Sequence, residues 1–219
     1  NNITIGGQSA GGGSVLNQMM YGTRGLFNKA VCHSGMFKMP GNNIMIPKPL
    51  SEAEKDGLEF FNFCGAKSLA DMRKFTTAEL RQKWSDFGGF GKSIATWLPV
   101  NDGKFVTDYF FNAVENGKVE NIPFICGYTT DEFCFDGHNA VKDGVEEYLR
   151  LLEKTGAKVK PYTYQFDISI PGWDNPGKFH SVDLWFWFET LAKCWRPFTG
   201  KWYDASRKMC NYLCNFIKT

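Results

Sequence analysis

The chain has 219 residues, 43% of them hydrophobic and 22% charged, with a formal net charge of +2. That balance suits one folded domain, or two, and gives neither nucleic acid nor an anionic membrane surface as a partner. No apolar run reaches the roughly 18 residues of a membrane span, and no signal peptide is recognised.

Ile3, Thr4 and Ile5 read as a short strand, and Ala10 to Met20 as a helix that begins with small residues. Between them stands Gly7-Gln8-Ser9-Ala10-Gly11. A serine at a sharp strand-to-helix corner is a nucleophile elbow. Gly7 and Gly11 then have a steric role, since side chains there would strike the adjacent strand and helix. The helix N-terminus beside Ser9 favours a developing negative charge. A glycine-rich structural turn is the plainer reading of the same residues. A phosphate cradle is a weaker rival, because no Gly-Lys-Ser/Thr follows.

Phe27 to Ser34 reads as the next strand, reached through a turn around Gly22 and Gly25. Strand, helix and strand at this spacing make a βαβ unit of a parallel sheet. His33 and Ser34 lie at the carboxyl end of the second strand, where site residues collect. A satisfied, half-buried histidine is the favoured reading of His33.

Residues 36–50, with three prolines, read as loop. Residues 51–64 read as a helix capped by Ser51 with Glu54 three positions on, with Leu58, Phe60 and Phe61 as its apolar side. Two short helices are predicted over 68–74 and 77–86. Loop and strand follow over 88–101, and Asp102 reads as a turn former. A helix over 108–117 is closed by Gly117. Residues 121–127 read as a buried strand, followed by a loop over 128–133 that holds Asp131 and Glu132. An amphipathic helix over 141–156 and an alternating strand over 161–168 come next. His180 lies in a loop before the run Trp185-Phe186-Trp187-Phe188, which reads as core and pocket wall, and a last helix spans 203–217.

Seven cysteines, an odd number without a Cys-x-x-Cys pair, read as buried free thiols in a reducing compartment, which points to the cytoplasm. The three histidines are far apart in sequence, so a zinc site is not expected.

Residues 2–15, Asn-Ile-Thr-Ile-Gly-Gly-Gln-Ser-Ala-Gly-Gly-Gly-Ser-Val, resemble the elbow of the type-B carboxylesterase family, α/β-hydrolases that include cholinesterases and bacterial para-nitrobenzyl esterases. The resemblance implies a partial α/β-hydrolase fold of class α/β, a mostly parallel sheet flanked by helices. Residues 1–219 would form the C-terminal portion of one domain, with a small helical insertion at about 51–86. It also implies that an acid and then a histidine follow the serine. Thr130-Asp131-Glu132-Phe133 resembles the family's Gly-x-x-x-Asp-Glu stretch and makes Glu132 the acid, where two solvated carboxylates would be the plain alternative. Gly177 to Leu184 resembles the loop of the catalytic histidine and makes His180 the base. Ser34-Gly35 resembles a Ser-Gly pair whose buried serine supports the triad. Val100-Asn101-Asp102-Gly103 resembles the family's Pro-x-x-Asp-Gly stretch. Lys67 to Arg73 lacks the cysteine of the cholinesterase disulfide, so the likeness is to the bacterial branch.

The implied function is hydrolysis of a short-acyl or aryl carboxylic ester through an acyl-enzyme. Ser9 is the nucleophile, His180 the base, Glu132 its orienting acid, and the Ala10 N–H a donor to the oxyanion, and this implied mechanism needs no metal or organic cofactor. A non-catalytic hydrolase-like interaction module, or an inactive piece of an esterase, is the alternative. The family's upstream strands and its glycine-rich oxyanion loop are absent, so the missing N-terminal half of the same domain is the expected partner. The 48 positions from Glu132 to His180 are also fewer than the family's usual interval.

Overall fold

A computed structural model describes residues 2–20, 25–39, 46–93 and 98–219. The turn predicted at Gly22, and parts of the stretches predicted over 36–50 and 88–101, lie outside them. The chain divides into two compact units, Asn1–Asn43 with Phe110–Thr219, and Ile44–Tyr109.

The first unit is built on strands β1 (Thr4–Gln8), β2 (Lys29–His33), β5 (Phe124–Thr129) and β8 (Tyr162–Phe166), side by side in that order and all parallel. Parallel neighbours need crossovers. Helix α1 (Ala10–Gln18) joins β1 to β2, and α7 (Ala140–Thr155) joins β5 to β8. β2 is buried at every position, as a strand covered on both faces should be, whereas β8 at the edge is mostly exposed. Alternate residues of β5 serve opposite faces. Ile125 packs with Val31, Trp187, Leu213 and Phe216, the last two from α9 (Gly200–Lys218). Phe124 meets Tyr148 of α7, ring centroids 5.7 Å apart.

The first-unit elements fall where the sequence predicts them, with shifted ends. β5 begins three residues later than expected and takes Tyr128 and Thr129 from the predicted loop. The predicted helix over 108–117 is α6 (Phe110–Glu115), with Gly117 left-handed beyond it. α9 starts at Gly200 rather than 203. Of the aromatic run, Phe186 and Trp187 are core, in the short helix α8 (Leu184–Trp187), while Phe188 is exposed. A small hairpin, β6 (Cys134–Phe135) with β7 (His138–Asn139), was not predicted. Its turn is Asp136-Gly137, both at positive φ, the pair that a two-residue hairpin favours.

The second unit holds β3 (Lys48–Pro49), α2 (Leu50–Cys64), α3 (Leu69–Met72), α4 (Thr77–Asp86), α5 (Gly89–Ser93) and β4 (Val100–Asn101). Ser51 does not cap α2. The extended backbone of Pro49 starts the helix one residue earlier, so Ser51 already lies in its first turn, and no side chain caps it. The capping box instead begins α4, between Thr76 and Glu79. Leu58 is exposed, not core. The apolar centre is Phe60, Cys64, Ala66 and Phe87, with Leu80 and Trp84 packed against it. Asp102 does form a turn, its carboxylate accepting from the N–H groups of Lys104, Phe105 and Val106. Among the described residues no helix is long and apolar enough to cross a membrane.

Candidate active site

Ser9 follows the last residue of β1 and precedes the first of α1, with φ 56° and ψ −122°. A serine gains nothing intrinsically from that backbone, which costs of order 1–3 kcal/mol and persists only when its surroundings fix it. Here the Ser9 N–H donates to the His33 carbonyl at 2.9 Å, and the Ser9 carbonyl accepts from Gly13 at 3.0 Å. Gly7 is required as expected, since a Cβ there would stand 2.2 Å from the Gly11 carbonyl oxygen. Gly11 is not: a Cβ on it meets nothing within 4 Å. The steric constraint falls one residue later, on Gly12, whose Cβ would come 2.8 Å from the Cα of Gly35. Small residues therefore let α1 settle against the end of β2. Ala10 occupies the first helical position and is exposed, so its N–H is among those a helix start leaves unsatisfied.

Glu132 and His180 meet. The His180 Nδ1–H donates to Glu132 Oε2 at 2.5 Å. Glu132 is buried, and its other oxygen accepts from the Thr129 N–H at 2.8 Å. Both ends of this pair are tied down. Asn139 donates to the carbonyls of Thr129 and Thr130, while its own oxygen caps α7 by accepting from Val141 and Lys142. Asp131 faces away from Glu132 and accepts from the Lys178 N–H at 2.7 Å, which anchors the loop two residues before His180. Gly177 in that loop is left-handed, and a Cβ on it would stand 2.7 Å from the Asp131 carboxylate.

The far nitrogen of His180, Nε2, lies 3.1 Å from the amide nitrogen of Gln8, the neighbour of Ser9. A carboxylate only accepts and an amide nitrogen only donates. With the Gln8 amide so oriented, the two contacts fit a ring with its proton on Nδ1 and its lone pair on Nε2. Phe133 stands edge-to-face with that ring, centroids 4.6 Å apart and planes at 74°, and Phe37 stands at 6.4 Å. Phe133 itself is left-handed, φ 45°, directly after Glu132.

Behind this group lies a second buried network. In register, Gln8, His33, Gly127 and Tyr164 form one row across the four strands. Gly127 has no side chain to block the Tyr164 ring, which would lie 2.3 Å from a Cβ there. The Tyr164 hydroxyl thus reaches His33, accepting from Nδ1 at 2.8 Å, and donates to Asp183 at 2.7 Å. Burial pushes the His33 pKa down to about 4 and raises that of Asp183. His33 is satisfied as expected, and fully buried rather than half. Ser34 is also buried, with φ 47°, and its hydroxyl has no hydrogen-bond partner among the described residues.

The sequence reading missed Gln8, Asn139, Phe133 and the Tyr164–Asp183 pair. Only Asn139 carried a local signal, an Asn directly before an amphipathic helix. The others act through contacts 19 to 172 positions away. All seven cysteines are free, but only Cys32, Cys64 and Cys126 are buried as expected; Cys194, Cys210 and Cys214 are half-buried, and Cys134 is exposed on the small hairpin, away from the core. Burial pushes the Cys32 thiol up to about 12.

Residues 1–149 match the model of the carboxylesterase family. Lipase 4 of Diutina rugosa is 32% identical over 142 residues, 59% of this chain and 25% of that lipase. Lipase 2 of the same organism is 29% identical over 170 residues, 69% of this chain and 29% of that lipase. Among solved structures, a PNB esterase matches 100% of this chain and 54% of its own with a TM-score of 0.79 at 18% identity. A Geobacillus stearothermophilus carboxylesterase matches with a TM-score of 0.70 at 20% identity, over 100% of this chain and 54% of its own. These structures establish the α/β-hydrolase fold, and the chain spans about half the length of each. The family match covers the strand-to-helix corner at Ser9, the first three sheet strands and the Glu132 loop, and it places this chain in the carboxylesterase family.

Proposed function

We propose that the chain carries the triad of a serine carboxylesterase, with Ser9 as nucleophile, His180 as general base and Glu132 as the acid that orients it. The observation that carries the reading is the run of contacts from Glu132 through both nitrogens of His180 to Gln8, which adjoins a serine in strained elbow geometry. In the first step Ser9 Oγ bonds to the ester carbonyl carbon. Its proton passes to His180 Nε2, and the carbonyl electrons move to the oxygen, which the Ala10 N–H and the start of α1 stabilise. His180 then protonates the departing alkoxide. Water, deprotonated by His180 in turn, releases the acid and frees Ser9.

Two further parts of the reading rest on composition and coverage. An aromatic content of 16% favours an apolar ester, of short-acyl or aryl type. The structural neighbours extend over about twice the length, and the outer edge of β1 pairs with no strand among the described residues. Both favour an N-terminal half of the same domain as the partner that completes the sheet and the oxyanion hole. Seven free cysteines favour a reducing compartment such as the cytoplasm.

A fluorophosphonate probe tests the mechanism, with any adduct located by mass beside a Ser9→Ala control. An adduct on Ser9 of this chain supports a triad assembled within these residues. Absence both here and in a longer parent chain would favour a non-catalytic module.

A further inference from the structure

We propose that Gln8 caps the basic nitrogen of His180 in the resting site, so that Ser9 gains its base only when the Gln8 amide moves aside. The inference rests on the triad reading above and adds a positioning residue to it.

A neutral imidazole has one in-plane lone pair, and it accepts one good hydrogen bond. With Nδ1–H directed at Glu132, that lone pair is on Nε2, and the Gln8 amide occupies it at 3.1 Å. Ser9 needs the same lone pair to lose its proton. The Ser9 hydroxyl makes no hydrogen bond among the described residues, so the resting base is engaged by the neighbour of the nucleophile and not by the nucleophile. The histidine is the less mobile member of the pair. Its Nδ1 is held by a buried carboxylate, and Phe133 and Phe37 flank the ring. Gln8 is only half-buried, and its amide makes no other hydrogen bond among the described residues, so rotation of Gln8 is the movement that opens the base. In that movement the Gln8 N–H leaves Nε2, the Ser9 Oγ–H takes its place, and no covalent bond changes until the ester carbon is attacked.

The test uses the 219-residue chain with ¹⁵N-labelled histidine and compares it with Gln8→Met, which has similar length and no donor. Loss of the donor moves the His180 Nε2 resonance downfield, and Ser9 reacts with a fluorophosphonate about three- to tenfold faster, the value of one net hydrogen bond. An unmoved resonance overturns the proposal, as does labelling that is unchanged or slower. If Gln8→Met fails to fold, Gln8→Asn, one methylene too short to reach the ring, is read by the same two measurements. If none of these 219-residue chains reacts with the probe, the labelling comparison is made in the longer parent chain, where silence would count against the esterase reading, while the Nε2 resonance still decides whether Gln8 caps the ring.

Discussion

Gly12 and Gly35 lie backbone against backbone, so that a Cβ on Gly35 would stand 2.5 Å from the Cα of Gly12. Neither has slack, because the nearest atom to each is main chain and the Cys32 sulfur stands 2.9 Å from both Cβ positions. Gly12→Ala is expected to destabilise the chain by about 1–3 kcal/mol through overpacking. Gly11→Ala, one position earlier and facing open space, is expected to be neutral or to stabilise by up to about 1 kcal/mol through helix propensity. Urea denaturation of the two variants checks the contrast. Equal effects would mean that α1 does not rest on the end of β2 as described.

Glu132→Gln keeps the size of the side chain and an acceptor for the Thr129 N–H. It also turns an amide N–H towards His180 Nδ1, which favours the tautomer with its proton on the wrong nitrogen. The expected result is a loss of about 10³–10⁴ in the rate of Ser9 acylation, with little change in melting temperature. Rates of probe labelling and a thermal melt separate the two effects. A large fall in stability with unchanged labelling would make Glu132 a structural carboxylate.

Phe133 has a left-handed backbone that suits glycine, yet its ring packs edge-to-face with His180. Phe133→Gly relieves the strain, of order 1–2 kcal/mol, and removes an aromatic contact of similar size. Stability should therefore change little, while labelling of Ser9 slows because His180 has lost one of its flanking rings. Phe133→Leu, which restores bulk and keeps the strain, should recover part of the rate. A Phe133→Gly chain that reacts at the original rate would remove Phe133 from the site.

Burial lowers the His33 pKa from 6.5 to about 4. Below pH 6.5 the unfolded chain takes up a proton that the folded chain refuses until about pH 4, so stability falls as the pH drops through that window. The full effect is about 3 kcal/mol. Asp183, raised by burial, acts in the opposite sense at the acid end. Denaturation of His33→Gln against the parent chain isolates the histidine, because Asp183 is present in both. The difference in stability between the two chains should shift in favour of His33→Gln from pH 7 to pH 4.5. A constant difference would mean that His33 is not buried as a neutral group.

The elements that announced themselves were those governed by local chemistry. The strand-to-helix corner at Ser9 was legible because a strand, a glycine pair and a helix start lie within a dozen residues, and Gly117 and Gly156 mark helix ends by the one residue that adopts φ > 0 freely. The start of α2 misled because Ser51 and Glu54 satisfy the capping pattern, but Pro49 had already set the chain on a helical course. Glu132 and His180 came from resemblance. What could not be read is what neighbouring strands impose on one another. Gly127 looks like any strand glycine until β8 is placed beside it, and Gln8 has no partner until a loop 172 positions later returns to the sheet.

The wholly parallel sheet also governs the order in which reactivity can appear as the chain folds. No two of its strands can pair by a simple hairpin, so each pairing closes a long loop before any contact rewards it. His180 comes from beyond the last of those strands, and it must meet both Glu132 and the end of the first strand. On the proposed triad, Ser9 would stay chemically quiet in partly folded chains, and its reactivity towards a probe would double as a clock for the final stage of folding.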